Sequence, residues 1–354
     1  MSKDVSKKKV AFFLVASILL ISFSFYTYQM VYTPNILVDN ESRVLMIKPG
    51  STYADVQQLL IKGDFVNDMV SFSFLARLMK YDQRIHPGRY ILQRNMSNLQ
   101  AVRTLRAGLQ APVAVTFNNV RLLSELGEKI TKNLSIKPDE FYTALDEFIA
   151  KNNEGFNQEN ILTMFIPNTY EVYYNVTAED LVQRIHKEYL KFWNEERLAK
   201  AKELGLTPIE VSILASIVQA ENTRGDEART IAGLYINRLR QGMPLQADPT
   251  LVFASGDFSL KRVLNVHKEN KSPYNTYIYT GLTPGPINMP EINAIDGVLN
   301  YEKNDYIFMC AKEDFSGRHN FAATLAEHNK NAHKYQEALT IEQEKGRAAK
   351  KNSK

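Results

Sequence analysis

Residues 207–221 read Thr207-Pro208-Ile209-Glu210-Val211-Ser212-Ile213-Leu214-Ala215-Ser216-Ile217-Val218-Gln219-Ala220-Glu221. The opening four residues specify a helix start. Thr and Glu three apart exchange bonds with backbone N–H groups that a first turn leaves unpaired, and Pro at the first helical position has no N–H to lose. Leu214, Ile217 and Val218 then fall at the i, i+3, i+4 spacing of a buried stripe, and Glu221 is the next member of that series. The stretch therefore predicts a core helix with a carboxylate on its packed side, at the C-terminal end. Burial disfavours the charged carboxylate, and the negative end of the helix dipole disfavours it further. A carboxylic acid still protonated near neutral pH is what a glycosidic oxygen needs in order to leave. The plain alternative is a structural carboxylate that binds a loop or an Arg, since ion-pair networks perturb carboxylates too. Gln219 is expected on the opposite side of the helix.

Downstream, a turn from Asn222 to Asp226 precedes a second helix carrying Ile231, Leu234, Tyr235, Arg238 and Leu239, which stops at Gly242. Leu245-Gln246-Ala247-Asp248-Pro249-Thr250 reads as a polar turn, where Asp-Pro often serves only to shape the chain. Ser272-Pro273-Tyr274-Asn275-Thr276-Tyr277 follows, then Gly281-Leu282-Thr283-Pro284-Gly285-Pro286-Ile287-Asn288, whose paired Gly and Pro make a rigid loop. Aromatic faces beside amides and hydroxyls suit a carbohydrate, which needs stacking and many neutral hydrogen bonds. His319, His328 and His333 with Glu327 lack the HExxH spacing that puts two ligands on one helical face, so no metal is expected. Cys310 is the only cysteine, which excludes an intrachain disulfide and a multi-cysteine zinc site and leaves the role of a small core residue. Short strands are expected around Tyr306 to Cys310.

Upstream, 113–205 is a middle region. The alternating strand Val113-Ala114-Val115-Thr116-Phe117 is followed by helices over 122–134 and 138–151, an extended stretch 165–170, and one long helix from Ala178 to Leu204 that contains Trp193. Packing is the simpler role for that Trp than stacking on a sugar. Residues 42–108 read as a small α+β module: strand 43–48, a Pro49-Gly50 turn, two short helices, strand 89–93, and a helix capped by Ser97. Val56, Leu59 and Leu60 in its first helix and Phe72, Phe74, Leu75 and Leu78 in its second are expected in the core.

From Val10 to Tyr32 there is no charge, and ~23 residues at ~1.5 Å each span the ~30 Å hydrocarbon core of a bilayer. Lys7, Lys8 and Lys9 before this transmembrane helix, with Asp39 and Glu41 after it, place residues 1–9 in the cytoplasm and the rest of the chain outside. The segment ends in Phe23, Phe25, Tyr26 and Tyr28 rather than small residues, which favours an uncleaved anchor over a signal peptide. The net charge of +4 comes partly from the two ends, including a basic tail at 339–354, and the interior carries no basic stripe for nucleic acid. The fold class is thus α+β, with a single N-terminal transmembrane helix, a small module, and a mainly helical catalytic region at 206–338.

In order and spacing, four segments resemble the YceG-like endolytic murein transglycosylases: 214–221; Asn237-Arg238-Leu239 through Met243-Pro244-Leu245 to Thr250; 274–277 with 281–287; and His319-Asn320-Phe321 with His328-Asn329. The likeness covers 10–335, weakest in the middle region, and the small module resembles a degenerate LysM domain. Members often carry two Glu in the first motif, one residue apart; here the first is Gln219, which favours Glu221 as the catalytic match. The resemblance implies that Glu221 protonates the oxygen between MurNAc and GlcNAc, then takes the proton of the C6 hydroxyl as that hydroxyl closes on C1. A 1,6-anhydroMurNAc end results, within nascent strands at the cytoplasmic (inner) membrane. It further implies that Gln246, Asp248, Tyr274, Asn275, Thr276, Tyr277, Gly285 and Asn288 orient sugar, and that His319, Phe321, His328 and Asn329 close the groove. No cofactor is expected. Implied partners are peptidoglycan glycan strands and penicillin-binding synthases. Two rivals stay open: a hydrolytic muramidase with Asp248 as second carboxylate, and a non-catalytic glycan-binding scaffold of the wall machinery.

Overall fold

The computed structural model describes residues 7–352 apart from Thr223 and Lys261, with side chains up to Lys345. The first six residues of the expected cytoplasmic tail and the far end of the basic tail lie outside the described residues. The chain divides into two compact units.

The first unit runs to Val115 and takes in Thr131–Lys137 and Tyr170–Thr177. It opens with α1 (Lys7–Tyr32), long and apolar enough to cross a membrane and exposed until its last turn, where Met30 and Val31 are part-buried. There follow β1 (Pro34–Ile36), β2 (Arg43–Ile47), α2 (Tyr53–Lys62), α3 (Met69–Leu78), β3 (Gly88–Leu92), β4 (Met96–Ser97) and α4 (Asn98–Arg106). Thr52 and Ser97 each form a capping box, which starts α2 and α4, the second where the sequence places it. β2 and β3 pair antiparallel from Arg43↔Leu92 to Ile47↔Gly88, so alternation sends Leu45, Ile47, Tyr90 and Leu92 to one core with Val56, Leu60, Phe72 and Leu105. That core begins before residue 42: Ile36 and Leu37 are fully buried in it, and β1 pairs with β4. Three core expectations fail. Leu59 is 37% exposed, because α2 turns only Val56 and Leu60 to the core, and Phe74 is 57% exposed and Leu78 68%, because α3 buries the arc of Ser71, Phe72, Leu75 and Ala76, and Phe74 and Leu78 lie outside it.

The chain enters the second unit within β5 (Val113–Phe117), and this unit holds residues 116–130, 138–169 and 178 onward, so the expected middle region does not cluster as a body of its own. Its elements continue as α5 (Leu123–Thr131), α6 (Pro138–Lys151), β6 (Asn168–Val172), α7 (Ala178–Phe192), α8 (Glu195–Leu204) and α9 (Pro208–Glu221). The single helix expected from Ala178 to Leu204 is broken. The Asn194 side chain accepts the Arg197 N–H at 3.0 Å and caps α8, while Trp193, only 3% exposed, packs beside Tyr189 and Phe192. Next come α10 (Ala228–Arg240), α11 (Asp248–Ser255), α12 (Asn265–Lys268), α13 (Ile292–Leu299), the hairpin of β7 (Phe308–Ala311) and β8 (His319–Ala322), and α14 (Leu325–Asn352). Cys310 on β7 is half-buried rather than a core residue, since a hairpin strand covers one face only.

α9 is the centre of this unit. Its sequence carries no charge between Glu210 and Glu221, and Val211 through Val218 are buried on every side, wrapped by α8, α10, α11 and α13. This exceeds the single stripe that the spacing predicts. Ser216 makes it possible: its hydroxyl donates to the Ile213 carbonyl at 2.7 Å and accepts the Ile287 N–H at 3.1 Å, so a polar residue in the core keeps its bonds. The Asn288 amide donates to the Ser216 carbonyl at 3.0 Å, and the rigid 281–288 loop is thereby tied to the helix that carries Glu221.

Candidate active site

Glu221 is the last residue of α9, half-buried, and lines a cleft of about 520 Å³. The walls come from four places in the chain: Asn119 and Arg121, Gln219 beside Glu221, Asp248 with Val252 and Phe253 of α11 running on to Phe258 and Arg262, and Asn288 of the rigid loop. Tyr235 of α10, 1% exposed, donates its hydroxyl to Glu221 Oε1 at 3.1 Å. The backbone N–H of Asp248, in the first turn of α11, also acts on the Glu221 carboxyl and favours its charged form. Burial dominates nonetheless and, helped by the negative charge of Asp248, lifts the Glu221 pKa to about 7 against the pull of those two donors. The site thus presents one carboxylic acid that holds its proton near neutrality, oriented on one side by a phenol and on the other by a helix start.

Asp248 is held in turn by Tyr277, whose hydroxyl donates to Asp248 Oδ1 at 2.5 Å. Burial, then this bond to Asp248, push the Tyr277 hydroxyl pKa upward, so it stays a donor. The expected polar turn at Asp248-Pro249 is a helix start, with Pro249 in the first turn, where its missing N–H costs nothing. Arg238, 6% exposed, spreads its guanidinium over the carbonyls of Ile307, Pro244 and Leu245 and over Gln246 Oε1, at 2.6 to 3.2 Å. It fixes the segment that delivers Asp248.

The residues expected to orient sugar separate into two groups. Asp248 and Asn288 line the cleft, and Tyr277 reaches it through Asp248. Asn275 and Thr276 are buried and bonded inward. The Asn275 amide donates to the Lys268 and Asn270 carbonyls, and Thr276 Oγ1 accepts the Ala247 N–H at 3.0 Å and pairs with Thr250 Oγ1 at 2.8 Å, so both shape the wall from behind. Gln246 sits at φ +52 with its side-chain oxygen on Arg238, again a structural duty. Tyr274 packs on Phe253 with ring centroids 4.7 Å apart. Gly285 is present for space: a Cβ there would run into the Glu159 carbonyl. Gln219, expected on the far side of the helix, lines the cleft and accepts the Glu291 N–H at 2.6 Å, because the open end of α9 exposes both flanks of its last turn.

The residues expected to close the groove do not line the cleft. Glu227 holds His319 twice, at the backbone N–H and at Nδ1, both at 3.0 Å. Phe321 stacks on Tyr306, and His328 lies against Phe308 with its pKa lowered by burial and by Arg238. Asn329 is exposed on α14. His333 faces Glu337 of its own helix, so the three histidines turn to different partners. This cluster locks the β7–β8 hairpin onto the start of α10. Sequence reasoning missed Tyr235, Arg238, Asn119, Arg121 and Arg262 as parts of the site. A hydroxyl and a guanidinium in the buried stripe of the second helix were the available signal, since each needs partners when buried; the other three had none.

A carboxylic acid that holds its proton near neutrality in an amide- and aromatic-lined cleft of a mainly helical unit is an arrangement suited to general-acid chemistry on glycosidic bonds. The sequence profile of the YceG-like family matches residues 45–334, and the chain belongs to that family. It is 28% identical to an endolytic murein transglycosylase of Bacillus subtilis strain 168, over 82% of this chain and 83% of that protein. It is 26% identical to one of Streptococcus pneumoniae serotype 2 strain D39 over 92% of this chain, and it spans 64% of that protein's length. A crystal structure of a YceG-like protein from Listeria monocytogenes superposes with a TM-score of 0.53 at 26% identity, over 82% of this chain and 98% of that one.

Proposed function

We propose that the chain is an endolytic murein transglycosylase that cuts the MurNAc–GlcNAc bond within nascent glycan strands, with Glu221 as acid and then base. The observation that carries the reading is the Glu221 carboxyl itself, raised to about 7 in the lining of the cleft. In the resting enzyme the protonated Glu221 donates to the glycosidic oxygen, the C1–O bond breaks, and GlcNAc leaves with the proton. The resulting carboxylate takes the proton of the MurNAc C6 hydroxyl as O6 bonds to C1. Glu221 ends protonated, an anhydro end forms, and no water is consumed. Tyr235 and the Asp248 N–H hold the carboxyl in place through both transfers. Asp248, Asn288 and Gln219 are the polar groups placed to orient sugar.

The names of the bacillary and streptococcal relatives support the same reaction class. In this reading α1 anchors the enzyme in the cytoplasmic membrane with its N-terminus inside. Residues 42–108 form a LysM-like module, 206–338 carry the catalysis, and penicillin-binding synthases supply the nascent strand nearby. Peptidoglycan digested with the full chain in detergent, and with its Glu221→Gln form, tests the reaction by mass spectrometry of the released ends. Anhydro ends from the parent and none from the variant are expected. Reducing ends would replace the reading with a hydrolase in which Asp248 activates water, and cleavage unchanged by Glu221→Gln would remove Glu221 from the chemistry.

A further inference from the structure

The first unit carries an apolar row that no part of the described chain covers. Val70, Phe74 and Leu78 stand four residues apart along α3 and are 76%, 57% and 68% exposed, so they share one face of the helix. A buried polar knot joins the start of that helix to the end of α1. The Asn98 amide donates to the Met30 carbonyl of α1 at 2.9 Å and to Ser71 Oγ of α3 at 3.0 Å, while the Asn35 amide donates to the Asp68 carbonyl at 2.9 Å and to Asn98 Oδ1 at 2.7 Å. Asn35 is 7% exposed and Asn98 1%, so these bonds are shielded from water and hold α3 against the last turn of α1. α3 therefore has no flexible linker between itself and the candidate membrane span.

Past the C-terminal end of the row, a groove of about 760 Å³ is lined by Lys80, Arg84, Arg103 and Arg106 together with the apolar Met79 and Leu109, the last 65% exposed. None of these four cations takes part in a salt bridge among the described residues. Asp82 is the carboxylate of the intervening turn, and its Oδ1 is buried. An apolar helix face flanked by unpaired cations is the pattern of a segment that lies in the headgroup layer of an anionic bilayer, where apolar side chains enter the acyl boundary and cations meet lipid phosphates.

We infer that α3 and the basic groove beside it form a membrane-contact surface, which seats the first unit on the anionic headgroups of the bilayer that α1 crosses. This rests on reading α1 as a membrane anchor, and it gives the Val70, Phe74 and Leu78 row its cover.

The test uses the full chain in lipid nanodiscs with brominated acyl chains, which quench tryptophan at short range. Phe74→Trp reports on the row and Ile18→Trp on α1, and the buried native Trp193 provides the background. The expected result is quenching of both reporters, roughly twofold at position 74 for a residue at the acyl boundary. Phosphatidylglycerol should strengthen the effect at position 74, and Arg103→Glu with Arg106→Glu should weaken it. Quenching at Ile18→Trp without quenching at Phe74→Trp overturns the inference while the anchor stands; quenching at neither removes the anchor and the inference with it. Emission at position 74 that responds to a second chain per disc, or to added glycan strands, and not to brominated lipid assigns the face to another occupant and equally overturns the proposal.

Discussion

Replacing Glu221 by Gln should make the second unit more stable in alkali and less stable in acid, and the crossover is the signature of an acid whose proton the fold retains. The folded state raises the Glu221 pKa from 4.5 to about 7. Between those values the folded protein keeps the proton that the unfolded chain gives up. The stabilising contribution is therefore complete below the unfolded value, declines as pH rises, and is lost above about 7. At about 1.4 kcal/mol per pH unit, the wild type loses about 3 kcal/mol across that window relative to a chain with a neutral residue at 221. Gln keeps the shape but accepts less well from the two donors, Tyr235 and the Asp248 N–H, which is worth about 1 kcal/mol. The variant should thus be about 1 kcal/mol less stable near pH 4.5 and about 2 kcal/mol more stable near pH 8.5. Urea unfolding followed through Trp193, the only tryptophan, reads the second unit directly. Other titrating groups cancel between the two proteins. A stability difference that is the same at both pH values would show that Glu221 titrates as an ordinary surface carboxylate, and the acid role would fall with it.

Activity should follow the protonated form, so turnover should fall about tenfold per pH unit above a midpoint near 7. Tyr235→Phe removes a donor that favours the Glu221 carboxylate; the alkaline limb of the kcat profile should move to higher pH, with kcat about tenfold lower and KM little changed, and an unmoved limb would reduce Tyr235 to packing. Gly285→Ala drives a methyl into the Glu159 carbonyl and should cost about 2 kcal/mol or more in urea unfolding; an unaffected protein would mean that the loop packs less closely. Thr276→Val strands the Ala247 N–H and leaves the Thr250 hydroxyl only its bond to the Ala247 carbonyl, which should cost about 1 to 2 kcal/mol and raise KM through the start of α11 without moving the pH midpoint.

Local physics made much of this protein legible in the sequence. The caps at Ser97 and Thr207 set helix starts through bonds between neighbours in the chain, and both form. The period of α9 put Glu221 among apolar residues at a helix end, and the uncharged run over 10–32 marked α1. Short-range competition was harder to read: Asn194 broke a helix that hydrophobic spacing continued, because one side-chain cap outweighs propensity. What reaches Glu221 came only from the tertiary structure. Tyr235, fourteen residues on, the helix start at Asp248, and Asn119 and Arg121, about a hundred residues earlier, meet there through packing that no local pattern encodes. The same packing turned Asn275 and Thr276 inward and moved His319 and His328 to a separate cluster. Sequence alone determined which residue could be the acid, since type and helical phase are local. The fold decided how strongly that acid holds its proton, since burial and neighbouring charges are set by elements far apart in the chain.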